Sequence, residues 1–342
     1  MTAPENLLPP AQKPVKWGII GCGAIAESAI IPAMKWSPMC EVVALASRAL
    51  PVAVEKAGEL GIPRAHGTYD ALLADADVEA VYIGTPSGLH EEWAIKAAAA
   101  GKHVLCEKSL ALNSAAARRM AEAAQAAGTR LMEAYMYRHH PQWDHVLGMI
   151  RAGRIGDVQS VRAGLSGQLL EDDNHRWSAL IGGGALYDVT CYGLNAARFI
   201  FGREPESVVA MADRQTREGV DATSHAILDF GYGRMAVISG SLRANNHQFC
   251  EIEGTRGRIV MPHPFIPGWE SVTVHVEEGM TMEDVRIAGA NHFLHEIEHF
   301  CLCARDPRRP LAPAEDGLRQ ALLNEAVEQS WISGGKVEVP EP

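Results

Sequence analysis

The sequence predicts an α/β protein: an N-terminal Rossmann-type, doubly wound parallel sheet, then an α+β part with an open, mainly antiparallel sheet. Three observations lead there. Residues 15–135 alternate short apolar runs with Ala-rich helical stretches. The first apolar run leads directly into Gly21-Cys22-Gly23-Ala24-Ile25-Ala26 and a helix-forming segment. Beyond a helical stretch at 185–201, apolar runs follow one another without helices between them. At 342 residues the chain is long enough to build two cores.

The elements follow in order. Residues 1–14 are polar and proline-rich, with neither a basic segment nor an apolar core, so they predict a flexible arm rather than a signal peptide. A first domain spans 15–139, with strands at 15–20, 41–47, 78–84, 103–107 and 130–135 and helices between most of them. After the first strand, Gly21 permits a tight turn and Gly23 lets a pyrophosphate approach the backbone. Ala26 keeps the next helix close, so that its N-terminal N–H groups at Ala24 and Ile25 face the phosphates. A dinucleotide site is the consequence.

The second strand ends in Ser47-Arg48, with no carboxylate before Glu55. An acid at that place bonds the ribose 2′-hydroxyl and repels a 2′-phosphate, whereas a guanidinium binds the phosphate and stacks on adenine. The sequence therefore predicts NADP in preference to NAD. The other strand ends, where ligands of such sheets gather, carry Thr85-Pro86-Ser87 and Glu107-Lys108.

A second domain spans 140–342. It opens with a helix near 142–152 and an extended run. The Gly182-Gly183-Gly184 break and a long helix at 185–201 come next. Two apolar strands flank the Gly231-Tyr232-Gly233 turn, and further strands are expected near 248–253, 257–261 and 271–276. Helices near 291–303 and 315–332 close the chain, packing back on the first domain. A sheet covered by helices on one face needs cover on the other, which predicts a homodimer or homotetramer.

A formal charge of −11 argues against nucleic acid or an anionic membrane as partner, and no apolar run approaches a membrane span. Seven scattered cysteines fit reduced thiols and a cytoplasmic location better than a disulfide framework. His295-Glu296-Ile297-Glu298-His299 fits H-E-x-x-H, but apolar residues at 293, 294, 297 and 300 mark an ordinary packing stripe and no third ligand is apparent, so no metal is expected.

Lys108 ends a strand beside the expected nicotinamide, where an ammonium can bond a substrate hydroxyl and stabilise alkoxide charge. Asp188 and Tyr192 are four residues apart, on one helical face with Asn195. A phenol titrates near 10 in water, so Tyr192 needs a cation such as Lys108 beside it to act as a base near neutral pH.

The glycine motif, Thr85-Pro86-Ser87-Gly88-Leu89-His90, Glu107-Lys108 and Gly182-Gly183-Gly184-Ala185-Leu186-Tyr187-Asp188-Val189-Thr190-Cys191-Tyr192 together resemble the glucose–fructose oxidoreductase / inositol dehydrogenase / MocA family from residue 15 onward. The run Met132-Glu133-Ala134-Tyr135-Met136-Tyr137-Arg138-His139-His140-Pro141 is similar to its aldose and dihydrodiol dehydrogenase branch, which uses Tyr where most members use His at position 192. The resemblance implies catalysis by Lys108, Tyr192 and Asp188. It adds Thr85, Pro86, His90 and Glu107 to the cofactor contacts, and Tyr137, Arg138, His175 and Trp177 as pocket residues. Trp177 could stack on a pyranose face. The expected reaction is NADP-dependent oxidation of a neutral sugar or cyclic diol, at C1 of an aldopyranose to give a lactone. The rivals are a glycosidase that keeps its nucleotide bound and oxidises transiently, and a non-catalytic NAD(P)- or sugar-sensing regulator. In one respect the chain departs from the family. Ser109 stands where the E-K-P motif has proline, so the backbone that aims Lys108 lacks that restraint.

Overall fold

A computed structural model describes residues 13–171, 173–306, 308–309 and 314–342. The arm predicted at 1–14 lies outside the described residues except for its last two. Six strands form the first sheet: β1 (Val15–Ile20), β2 (Cys40–Ala46), β3 (Arg64–His66), β4 (Ala80–Ile83), β5 (His103–Glu107) and β6 (Leu131–Ala134). They pair in parallel in the order β3-β2-β1-β4-β5-β6. The order reverses between β1 and β4, which opens the crevice in which such sheets hold ligands. β3 has no counterpart in the sequence reading, because Arg-Ala-His offers neither an apolar run nor an alternation to find.

Between the strands lie α1 (Ile31–Trp36, entered through a π-turn at Ala26–Ile30), α2 (Leu50–Glu59), α3 (Tyr69–Leu73), α4 (His90–Ala99) and α5 (Ser114–Ala127). α5 is bounded as its sequence dictates. Asn113 caps it by accepting from the Ala116 N–H, and Gly128 ends it in the left-handed conformation.

After α6 (Pro141–Arg151) the chain builds a second sheet. Its strands are β7 (Val158–Ser166), β8 (Ser207–Asp213), β9 (Thr223–Asp229), β10 (Met235–Ser241), β11 (His247–Gly254), β12 (Gly257–Met261), β13 (Val272–Glu278), β14 (Thr281–Ile287) and β15 (Val337–Glu338). The order is β14-β13-β12-β11-β7-β10-β9-β8-β15. Every neighbouring pair is antiparallel except β7 with β10. β8, β14 and β15 were not expected from sequence; Thr281–Ile287 is too charged to read as a strand.

One face of this sheet carries α7 (Cys191–Phe201), with Val161, Ala163, Ala236 and Ile238 packed against Leu194 and Ala197 in one buried cluster. The other face leaves Val209, Met211, Ile227, Met235 and Val237 exposed. The expected single helix at 185–201 is a π-turn at Leu186–Thr190 running into α7. Such insertions shift the side-chain phase of a helix and recur at functional sites.

The last two helices return to the first sheet, one on each face. α8 (His292–Arg305) sets Ile297, Phe300 and Cys301 against Trp17, Ile19 and Leu105, with the Trp17 and Phe300 rings 5.3 Å apart. α9 (Ala314–Ser333) sets Leu318, Ala321 and Leu322 among Val81, Ile83 and Met120. The alternation of β1 explains the division: Trp17 and Ile19 face α8, and Ile20 faces the side that α9 covers. No described helix is long and apolar enough to cross a membrane.

Candidate active site

The crevice at the β1–β4 reversal is built from backbone. Gly21 has a φ of +92°, and a Cβ there would stand 3.1 Å from the Gly84 carbonyl oxygen, so the turn admits only glycine. Gly23, Ala24 and Ile25 are exposed, and Glu27 N–H makes an early bond of the helix to Gly23 O at 3.1 Å. The preceding N–H groups are left for a ligand, as at any helix start. Ser47 is half-buried and Arg48 exposed at the end of β2, on the side where an adenosine ribose would lie. Thr85 is buried, and its hydroxyl has no partner among the described residues.

The chemistry-bearing groups meet at the carboxyl end of β5. Lys108 Nζ donates to Asp188 Oδ1 at 3.0 Å and to the Asp188 carbonyl at 2.8 Å. It lies 5.3 Å from the centre of the Tyr192 ring. Arg176 Nε donates to the other carboxylate oxygen, Asp188 Oδ2, at 2.8 Å. One carboxylate thus holds two cations. The Tyr192 hydroxyl donates to Met136 Sδ at 3.5 Å, a weak bond easily exchanged for a better acceptor.

Arg176 was not found by sequence reasoning, which chose its neighbours His175 and Trp177. The reason for its position is tertiary: the glycine run folds back over the 175–178 turn, with Gly184 N–H on the Arg176 carbonyl at 2.9 Å and Gly183 N–H on the Ser178 carbonyl at 2.8 Å. A Cβ on Gly183 would lie 2.4 Å from the Arg176 carbonyl oxygen. The only sequence signal for Arg176 was the run of three glycines, which announced a close backbone approach without naming its partner.

Electrostatics follow from this packing. Burial opposes the charge of Lys108, but Asp188 outweighs it and holds the ammonium above the ordinary lysine range. Burial likewise pushes Asp188 up, yet Lys108 and Arg176 together bring its carboxyl below the usual aspartate value. Burial raises the Tyr192 phenol, with Lys108 pulling the other way and losing. The expectation that Lys108 would bring this phenol down to neutral pH is therefore corrected. The ammonium sits over the ring face, and the buried hydroxyl faces sulfur. Glu107 accepts from the Tyr82 hydroxyl at 2.9 Å and is raised by burial.

Several predicted residues do not join this centre. Tyr137 is fully buried behind Tyr192, and its hydroxyl donates to Asn195 Oδ1 at 2.6 Å. Arg138 donates to the same oxygen and to Asp316 Oδ2, at 2.8 and 2.7 Å, so it is a buried link between α7 and α9 rather than a pocket residue. Asn195 consequently faces this network and not the crevice. Trp177 donates from its indole N–H to the Glu171 carbonyl at 3.0 Å. His175 is closer to the centre: burial, then Arg176, lower its pKa, while Asp188 pulls it up. His90 is fully buried, with both ring nitrogens on backbone carbonyls, and so offers no surface to a cofactor. On α8, His295 is exposed, Glu296 is fully buried and His299 Nε2 lies 3.6 Å from Cys303 Sγ; among the described residues no three His, Cys, Asp or Glu side chains are grouped so as to hold a metal ion.

Removing the shared carboxylate strands two cations. Asp188→Asn is expected to lower stability by about 3 kcal/mol at neutral pH, read from denaturant unfolding. Because the folded-state pKa of Asp188 is depressed, its contribution is complete above the unfolded aspartate pKa and is lost as pH falls through the lower folded value. The gap between wild type and variant should therefore close in acid. A gap independent of pH would refute this account.

Comparison with known proteins agrees with this architecture. The model of an oxidoreductase family with an NAD-binding Rossmann fold matches residues 15–135, and that of the GFO/IDH/MocA C-terminal domain matches 143–260. The chain is 40% identical over 297 residues to oxidoreductase ORF334 of Rhizobium meliloti, covering 85% of this chain and 89% of that protein. It is 32% identical to D-xylose 1-dehydrogenase (NADP(+)) 2 of Haloferax volcanii, covering 94% and 99%. KijD10, a 3-ketoreductase from Actinomadura kijaniata solved with NADP and TDP-benzene, superposes with a TM-score of 0.87 at 34% identity over 93% of this chain and 98% of that one. With both models matched in sequence and both sheets in place, the chain belongs to the GFO/IDH/MocA family of oxidoreductases.

Proposed function

We propose that this chain is an NADP-dependent oxidoreductase acting on a ring hydroxyl of a neutral sugar or cyclic diol, with oxidation at C1 of an aldopyranose to the lactone as the favoured reaction. The observation that carries the proposal is the Lys108–Asp188–Tyr192 group at the end of β5, a strand of the same parallel sheet whose β1 leads into the exposed Gly23, Ala24 and Ile25. NADP, when bound, supplies hydride transfer at its nicotinamide. The residues present fit it: Gly21, Gly23, Ala24 and Ile25 for the pyrophosphate, Ser47 and Arg48 for the 2′-phosphate, and Thr85, Pro86 and Glu107 along the crevice.

The chain's own groups divide the remaining work. Lys108 donates to the substrate oxygen and holds its developing negative charge. Asp188 keeps Lys108 charged, and through Arg176 fixes the 175–178 turn over the site. Tyr192 passes the proton at that same oxygen. Solved variants of KijD10 change a lysine and a tyrosine spaced in sequence as Lys108 and Tyr192 are, which supports giving this pair the central roles.

A second reading has a specific observation behind it. Lys108 and Tyr192 both hold their protons at neutral pH. Two protonated donors are also what delivery of a proton to a carbonyl oxygen needs, which makes reduction of a keto-sugar the second reading. A 3-ketoreductase among the relatives is consistent with it. Assay of aldoses, polyols and trans-diols with NADP+, and of keto-sugars with NADPH, separates the two. Net turnover in either direction sets aside both the glycosidase and the sensor.

Assembly and location belong to the same proposal. The exposed apolar side chains of β8, β9 and β10 suit a second copy of the sheet, giving a homodimer or a dimer of dimers. The seven scattered cysteines fit the reducing cytoplasm.

NADP+ should bind at least ~10-fold more tightly than NAD+, about 1.4 kcal/mol, and Arg48→Ala should erode that preference. Equal dissociation constants in the wild type would sink the assignment. Lys108→Met should lower kcat by roughly 10²–10⁴-fold with a smaller effect on substrate binding, and Tyr192→Phe comparably. The double variant should be little worse than either, since the two act as a unit. Multiplicative losses would mean independent roles. Light scattering at micromolar concentration should report an oligomer; a monomer would count against sheet-face association.

A further inference from the structure

Lys108 is aimed by the backbone that follows it, and at Ser109 that backbone has no proline ring to fix it. The structure provides another hold. The Ser109 carbonyl lies 3.0 Å from Nδ1 of His90, whose ring has no exposed surface. On the far side of the same ring, Nε2 lies 2.8 Å from the carbonyl of Thr85, in the loop that follows β4. One residue further on, the Leu110 N–H donates to Glu133 Oε1 at 2.8 Å in a fully buried bond. Ser109 Oγ reaches the carbonyl of Tyr187, the residue before Asp188, at 3.3 Å.

The turn after Lys108 is thus held from three directions, and His90 is the member that also touches the cofactor loop. Both carbonyls are satisfied together only by a ring carrying hydrogen on both nitrogens. Burial opposes that state and outweighs the surrounding carbonyls that favour it, so the ring's pKa is lowered. A ring with a single hydrogen donates to one of the two carbonyls and packs, fully buried, against the other.

We propose that His90 is a positioning residue: through Nδ1 it holds the Ser109 carbonyl and so aims Lys108, and through Nε2 it ties that turn to the Thr85-Pro86 loop. This rests on the reading of Lys108 as the group that touches substrate. Its effect on chemistry follows from geometry, since displacing a catalytic group by about 1 Å costs on the order of 10²-fold in rate.

Two isosteres separate the two links. The amide nitrogen of Asn falls near the Nδ1 position and that of Gln near Nε2, so His90→Asn keeps the link to Ser109 and His90→Gln keeps the link to Thr85. Hydrogen exchange of the peptide spanning Ser109 and Leu110, read by mass spectrometry on the full chain, needs no substrate. It should speed up in His90→Gln and stay near wild type in His90→Asn. With D-xylose or D-glucose and NADP+, His90→Gln should lose roughly 10-fold or more in kcat, while His90→Asn stays within about 3-fold. NADPH affinity, from its fluorescence, should be weakened more by His90→Asn than by His90→Gln.

Equal exchange and equal kcat in the two variants would overturn the proposal, as would the reverse order. Lys108→Met serves as the parallel control. If it leaves turnover intact, the functional reading fails, while the exchange difference still decides whether His90 holds the turn. Thermal melts of both variants guard against general unfolding: a loss confined to kcat and local exchange supports positioning, and equally lowered melting with equal exchange refutes it.

Discussion

The candidate site depends on one carboxylate placed between two cations. Asp188 sits on the π-turn before α7, Lys108 at the end of β5, and Arg176 in the turn that the glycine run covers. Without Asp188, Lys108 would be a buried ammonium with only a carbonyl to bond, and burial would favour its neutral form. The Arg176 turn would lose its anchor to the same place. Each of these three residues belongs to a different segment, so the ion pairs also register the first sheet against the second.

That registration is shared with packing. α8 and α9 come from the C-terminal end of the chain yet cover opposite faces of the first sheet, so the two halves cannot separate without exposing Phe300 on one side and Leu318 and Leu322 on the other. Beneath the site, Arg138 and Arg198 converge on Asp316, and Asn195 accepts from Tyr137 and Arg138 while donating to Gln320. Buried charges need such complete satisfaction, because each unpaired group would cost several kcal/mol. The network supports the wall of aromatic rings on which Tyr192 rests, with Tyr135, Tyr137 and Phe265 all within 6.0 Å of its ring.

The electrostatic state of the pair bears on direction. Asp188 holds the Lys108 ammonium above its ordinary range and burial holds the Tyr192 phenol above its own, so both keep their protons at neutral pH. On the reading proposed above, alcohol oxidation requires the phenol to lose its proton first. The cation of Lys108, at 5.3 Å from the ring centre, is placed to favour that loss once a substrate oxygen replaces Met136 as the hydroxyl's partner.

The sequence by itself determined the parts that local chemistry dictates. Gly21 had to be glycine because the turn takes a positive φ against the Gly84 carbonyl, and the alternation of apolar runs with Ala-rich helices gave the parallel sheet. Lys108, Asp188 and Tyr192, which the structure brings together, could be picked out because the sequence places one at a strand end and two on a glycine-flanked helix. Short or charged strands such as Arg64–His66 and Thr281–Ile287 left no periodic trace, since neighbouring strands rather than their own side chains hold them. Only the tertiary structure decided that Arg176, rather than His175 or Trp177, reaches Asp188. It alone turned Tyr137, Arg138 and Asn195 inward and made His90 a buried brace. These are questions of which carbonyl or carboxylate lies opposite, and the partners stand up to 178 residues away along the chain. No local pattern encodes a contact whose two halves meet only after both sheets have formed.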